Sequence, residues 1–190
     1  NYLEKHRNSS IKTIYVYRNP LDNLVSSFFY HIRKRDESGE VSSIKNYIRS
    51  YLLKYVPLYD HMQQQKRQGQ FVLCYDQIMG DKKKEYGKLL NYLNIPVDDE
   101  ILDLAVDRNS IKLVKETEEK QGHAIHSTKG NSKSFVRSGI TGDYASHLSV
   151  VDVKYIISHF VKSEIDMADF LDSDLKTELL KRYKRLSMGV

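Results

Sequence analysis

A chain of 190 residues with 40% hydrophobic side chains, 29% charged side chains and only 3 prolines suits one globular domain, expected here over 1–190, with a core of useful size. No apolar run approaches the roughly 20 residues that cross a bilayer, and no basic start leads into an apolar stretch and cleavage site, so neither a membrane partner nor a secretory leader is expected. The lone cysteine, Cys74, excludes an internal disulfide and points to a reducing, cytoplasmic setting, while a net charge of +5 favours an anionic partner. Because 30 basic residues are interspersed with 25 acidic ones and no face is purely basic, nucleic acid is not the default partner, and a small, highly charged ligand fits the charge as well.

The run IKTIYVY (11–17) reads as a buried strand, since its β-branched and aromatic side chains suit a pleated sheet. Asn19 is then a helix N-cap, Pro20 the first helical residue and Asp22 a first-turn acid. Apolar residues recur at helical spacing behind them, so a helix over 20–34 should pack on the sheet through Leu24, Val25, Phe28 and Ile32. RKRDESGE (33–40) is a solvated break. Ile44, Tyr47, Ile48, Tyr51, Leu52 and Tyr55 mark a second amphipathic helix, which Pro57 interrupts, which resumes to Arg67 and which Gly69 stops.

FVLCY (71–75) is a second short buried strand. Strand, helices, strand at this separation make a crossover unit, so strands 12–17 and 71–75 should be adjacent and parallel. Residues 82–94 form a helix with Tyr86, Leu89, Leu90 and Leu93 on one face, and DDEILDLAVD (98–107) a short helix with an acidic start. From Lys115 to Ser134 the chain is polar and without periodicity, which reads as a long loop. VVDVKYIISHF (150–160) and DLKTELLKRYKRL (174–186) read as two closing helices.

Arg18 ends the first strand, immediately before a helix start. Ligands of parallel α/β sheets bind outside the carboxyl ends of the strands, and free N–H groups at a helix start attract anions. Ser26 lies about two helical turns further on and can face the same side. An arginine, a helix start and a hydroxyl converging on one point would make a phosphate site. The spacing is equally consistent with a plain ion pair between Arg18 and a carboxylate such as Asp22. SFVRSGITGDY (134–144) adds a second arginine beside Gly139 and Gly142, where backbone can approach a ligand closely.

With both segments in view the sequence resembles the cytosolic sulfotransferase family, over roughly residues 11–165. YVYRNPLDNLVSSFF is similar to that family's strand–RNP–helix segment, whose arginine and downstream serine hold the 3′-phosphate of the sulfate donor PAPS (3′-phosphoadenosine 5′-phosphosulfate). FVRSGITGDY resembles its Arg-Lys-Gly turn followed by Gly-Asp-Trp. VLCYDQIMGDKKKEYGKLLNYLNIP is similar to the segment carrying a tyrosine that meets the adenine. The resemblance implies that Arg18 and Ser26 bind the 3′-phosphate, that Arg137 adds a second guanidinium and that Gly139 lends a backbone N–H. It implies that Tyr75 contacts the adenine and that Asn109 and Ile111, from RNSIKLV, line its pocket, Ile111 standing where the family tends to have an aromatic ring. Ser138 belongs to the same cofactor site in place of the family's usual lysine, removing one positive charge, and Tyr144 replaces its usual tryptophan.

The implied fold is α/β, a parallel sheet flanked by helices with P-loop-kinase-like topology, and the implied reaction moves a sulfuryl group from PAPS to a hydroxyl or amine of a small acceptor. The chain resembles the C-terminal two-thirds of such an enzyme. The family's N-terminal phosphate loop is not in the sequence and its catalytic histidine would fall just before Asn1, so no catalytic residue is assigned. His6 lies too near the strand. The expectation is therefore that these residues alone transfer no sulfate, and a non-catalytic 3′-phosphoadenosine-binding module is the alternative. No metal is expected: His123 and His126, with Cys74, read as a polar loop and a buried thiol rather than zinc ligands. DKKKE (81–85) reads as a solvated helix start and the tyrosine stripe at 47–59 as core, although the resemblance also allows residues near it to wall an acceptor pocket, and no GxSxG hydrolase elbow occurs. The family's dimer motif follows its Gly-Asp-Trp with a lysine, a Thr-Val pair and a glutamate. Here Ala145, Ser149-Val150 and Lys154 stand instead, so dimerisation by that motif should be weakened.

Overall fold

The computed structural model describes residues 12–34, 43–121, 139–167 and 170. Strand β1 (Ile14–Tyr17) pairs in parallel with β2 (Phe71–Cys74), with Ile14 opposite Phe71 and Tyr17 opposite Cys74. Two helices connect them, α1 (Pro20–Lys34) and α2 (Ile44–Arg67), so the expected crossover unit is present. The sheet has two strands among the described residues, and Val16 on β1 is 52% exposed.

The strand-to-helix switch follows from local chemistry. Asn19 accepts the Leu21 N–H at its side-chain oxygen, 2.9 Å away, and Pro20 fills the first helical position, where no donor is needed. Leu21, Leu24 and Val25 are fully buried and Phe28 nearly so, whereas Ile32 is only half-buried. The buried face thus follows the apolar spacing from Leu21 to Phe28 and fades by Ile32. It meets Ile48, Leu52 and Val56 of α2, and Ile156, Ile157 and Phe160 of α7 (Val150–Lys162). A capping box starts α7: Ser149 accepts from the Asp152 N–H while Asp152 accepts from Ser149.

Pro57 does not interrupt α2, which runs unbroken for 24 residues. Pro57 and Leu53, whose carbonyl loses its partner, both lie on the exposed face, where water can satisfy that oxygen. Gly69 does stop the helix: at φ 76° it lets Gln70 N–H reach Gln65 O and its own N–H reach Lys66 O, each at 3.0 Å. The second strand ends at Cys74, and Tyr75 begins a short helix, α3 (Tyr75–Gly80), rather than closing the strand. Helices α4 (Lys82–Leu93) and α5 (Asp99–Arg108) lie where expected.

The expected loop from Lys115 is corrected in its first part, because α6 runs from Ile111 to Gln121. Its lysines and glutamates are good helix formers without an apolar period, so propensity rather than periodicity makes this helix. The remainder of that loop, the break after Lys34 and the expected helix over 174–186 lie outside the described residues.

A candidate anion site at the end of β1

The parallel sheet and α1 together place Arg18 beside the first turn of a helix. The backbone there is fixed from behind. Tyr59 donates its hydroxyl to the Arg18 carbonyl at 2.7 Å and accepts from Asn23 Nδ2 at 3.1 Å. Burial pushes the Tyr59 phenol well above its ordinary range, so it stays a neutral donor.

The Arg18 guanidinium has partners from three segments. Nη2 donates to the Ile140 carbonyl at 2.8 Å, across 122 residues. The same nitrogen lies 3.8 Å from Asp22 Oδ2, and Nε lies 4.0 Å from Asp76 Oδ1. These two separations are ion pairs rather than hydrogen bonds. Arg18 Nε and Asp76 Oδ1 are buried without any hydrogen-bond partner. The face of the guanidinium rests on the Tyr75 ring, 4.9 Å from its centroid. Of the two roles the spacing allowed, the ion pair with Asp22 is thus present, and Asp76 adds a second.

Both carboxylates also accept backbone N–H groups. Asp22, only 1% exposed, accepts from Gly142 at 2.7 Å and Tyr144 at 2.8 Å, while Asp76 Oδ2 accepts from Asn19 N–H at 2.8 Å. Burial raises the Asp76 carboxyl above its ordinary range. The Asn19 N–H and the Arg18 charge oppose that shift, and the Asp22 charge adds to it.

The sequence-predicted residues divide into three groups. Arg18, Tyr75 and Gly139 come together, the last through its neighbour Ile140. Ile111 joins them: a Cβ added to Gly139, which sits at φ 65°, would stand 2.3 Å from Ile111 Cδ1, so side chain and backbone are in close contact. Ser26 and Asn109 stand apart. Ser26 is half-buried on α1 and, among the described residues, makes no hydrogen bond or ion pair with Arg18. Asn109 is exposed at the end of α5, where Nδ2 donates to Ala105 O at 2.8 Å and its carbonyl accepts from Lys82 Nζ at 3.1 Å. Arg137 and Ser138 lie outside the described residues, as do His123 and His126.

Three residues carry more than the sequence reading gave them. Asp22, read as a first-turn acid, clamps a turn 120 residues away. Asp76 stands just past the end of β2 as Arg18 stands just past the end of β1, a positional signal that the sequence carries. Tyr59 belongs to the tyrosine stripe, of which Tyr47 and Tyr59 are core and Tyr51 and Tyr55 half-buried, and its hydroxyl holds the Arg18 backbone. In the same stripe Tyr47 and Tyr55 direct their hydroxyls to Ser27 Oγ, at 2.7 and 2.6 Å.

The arrangement sets a guanidinium, already facing two carboxylates, beside a helix start and a glycine-containing turn, the group types that recognise oxyanions. Among the described residues no group of His, Cys, Asp or Glu could hold a metal ion, and no helix is long and apolar enough to cross a membrane.

Comparison with known proteins points one way. The pattern of the sulfotransferase domain matches residues 2–184. Sulfotransferase 1A1 of Bos taurus is 28% identical over 160 residues, covering 80% of this chain and 54% of its own length. The 3-beta-hydroxysteroid sulfotransferase of Cavia porcellus is 24% identical over 154 residues, covering 77% and 53%. The chain thus spans about half the length of the curated relatives it matches. A mouse sulfotransferase complexed with PAP superposes with a TM-score of 0.67 at 20% identity, covering 95% of this chain and 65% of that one. A retinol dehydratase in complex with androsterone and PAP gives 0.66 at 16% identity, covering 89% and 51%. The two superpositions give the fold, α/β with a small parallel sheet, and the domain match gives the family: this chain belongs to the sulfotransferase domain family.

Proposed function

We propose that the β1 end binds the adenosine 3′-phosphate of PAPS, in a sulfotransferase that moves the sulfuryl group to a hydroxyl or amine of a small acceptor. The observation that carries this reading is the bond from Arg18 to the Ile140 carbonyl. It joins, in space, the two segments that the family resemblance assigns to one phosphate. Arg18 and Ser26 would hold the phosphate from the β1–α1 side. Arg137, Ser138 and the Gly139 N–H would hold it from the 137–142 side. Tyr75 and Ile111, flanking these groups, would take the adenine, and Asn109 would join them by releasing its bond to Ala105 O.

The residues present fit that ligand in two respects. The buried Arg18 Nε, 4.0 Å from Asp76 Oδ1, makes no hydrogen bond, so a phosphate oxygen would supply one, and Gly139 keeps clear the space that a Cβ would fill. Transfer would break the S–O bond to the 5′-phosphate, form one from sulfur to the acceptor oxygen or nitrogen and release the acceptor's proton. PAP in the neighbouring structures, androsterone in one of them and the hydroxysteroid named for a relative support a nucleotide donor and a small apolar acceptor. A cytoplasmic setting accords with the single, buried thiol.

Isothermal titration of the full chain with adenosine 3′,5′-bisphosphate and with adenosine 5′-monophosphate tests the reading. Preference for the bisphosphate by tenfold or more is expected. Equal affinity would show that Arg18 serves only its carboxylates.

A further inference from the structure

Asp22 sits at 1% exposure, where an ionised carboxylate costs heavily unless its lone pairs are filled. Its two oxygens accept from two amides of one turn, Gly142 at 2.7 Å and Tyr144 at 2.8 Å, and Arg18 lies 3.8 Å away. Only a carboxylate can accept on both oxygens at once, since an amide would turn an N–H₂ toward one of these donors. Gly142, at φ 77°, reverses the chain so that its N–H points to Asp22, and its neighbours continue as a 3₁₀ turn (Asp143–Ser146) whose first donors need partners from outside.

We propose that Asp22 is a positioning residue: by accepting the Gly142 and Tyr144 N–H groups it sets the 139–144 turn against the end of β1, so that the two halves of the phosphate site stand assembled before ligand arrives. The proposal rests on the nucleotide reading above for what the site binds, and on geometry alone for what Asp22 does. Asp22 is itself rigidly held, one residue after the fully buried Leu21 and two before Leu24. Through the turn it brings the Ile140 carbonyl to Arg18, and with it the Gly139 backbone to Ile111. The far end of the turn is anchored separately, by buried Leu148 and by His147 against the Phe29 ring at 4.9 Å. Losing Asp22 should therefore release residues 139–144 without unfolding the domain.

Amide hydrogen exchange and titration calorimetry on the full chain test this together. In the wild type the Gly142 and Tyr144 amides should exchange as slowly as helical amides. In Asp22→Asn they should exchange at least tenfold faster while those of Ile156 and Phe160 stay protected. The same variant should lose at least tenfold in affinity for adenosine 3′,5′-bisphosphate, with affinity for adenosine 5′-monophosphate changed less than twofold, a split that general destabilisation would not produce. Fast exchange at Gly142 and Tyr144 in the wild type would overturn the proposal without any variant, as would an Asp22→Asn protein that keeps both protection and preference. A wild type that binds both nucleotides equally would instead overturn the nucleotide reading, and the exchange result would still decide the role of Asp22.

Discussion

Replacing Arg18 by alanine removes a cation that faces two carboxylates, at 3.8 and 4.0 Å, and leaves both turned toward the proposed phosphate. A charge-assisted hydrogen bond contributes about 1.5–3 kcal/mol net, which at roughly 1.4 kcal/mol per decade is a tenfold to hundredfold loss of affinity. The two carboxylates push the loss toward the upper end, because at an effective dielectric near 20 a charge pair at 4 Å interacts by about 4 kcal/mol. Two companion variants separate the contributions. Arg18→Lys keeps the charge but not the planar fork and should fall between wild type and alanine. Arg18→Ala with Asp76→Asn removes one of the two negative charges left without the arginine and should recover part of the loss. The assay is titration calorimetry near 0.15 M salt, where screening acts over about 8 Å, with the monophosphate as control. Equal losses for bisphosphate and monophosphate, or no recovery in the double variant, would refute the reasoning.

Further expectations concern protons, packing and association. Asp76 is raised by burial, so in the window between its ordinary pKa near 3.8 and its higher folded value the native state holds more protons than the unfolded one, and this group lowers stability as pH rises. The stability difference between Asp76→Asn and wild type, measured by urea unfolding, should therefore shift in favour of the variant from about pH 4 upward and flatten once pH passes the raised folded value; a difference that is flat throughout contradicts the assigned cause. Phe160→Ala, in the fully buried α1–α2–α7 core, should cost about 3–5 kcal/mol by the same measurement. Gly139→Ala should cost about 1 kcal/mol from its left-handed backbone and displace Ile111, weakening nucleotide binding more than folding; unchanged affinity would separate Gly139 from the site. With Ala145 and Lys154 standing where the family's dimer motif has a lysine and a glutamate, sedimentation should show no tight dimer through this segment, and a dimer that Val150→Glu dissociates would overturn that expectation.

What the sequence disclosed follows from the range of each interaction. The β1–α1 corner was legible because its determinants, Asn19, Pro20 and the Leu21–Val25 spacing, are neighbours in the chain. The parallel pairing of β1 and β2 followed from the length of the connection. Pro57 misled because its cost depends on which face it occupies, and a face is settled by tertiary packing. Helix α6 was hidden because its residues favour a helix without an apolar stripe to announce it. At the site, family resemblance supplied Arg18, Tyr75, Ile111 and Gly139 as members of one group. It did not supply Asp22 or Asp76, whose partners are backbone amides that carry no side-chain signature. Ser26 and Asn109 fit the resemblance but make no bond to the Arg18 group, so their roles rest on ligand binding itself.

The most direct test of the central claim is a crystal structure of the full chain with adenosine 3′,5′-bisphosphate. The account predicts that a 3′-phosphate oxygen lies about 3 Å from the Arg18 guanidinium, within hydrogen-bond range, with Tyr75 against the adenine and the Gly139 N–H turned to the phosphate. A nucleotide bound elsewhere, with Arg18 still held by Asp22, Asp76 and the Ile140 carbonyl alone, would contradict it.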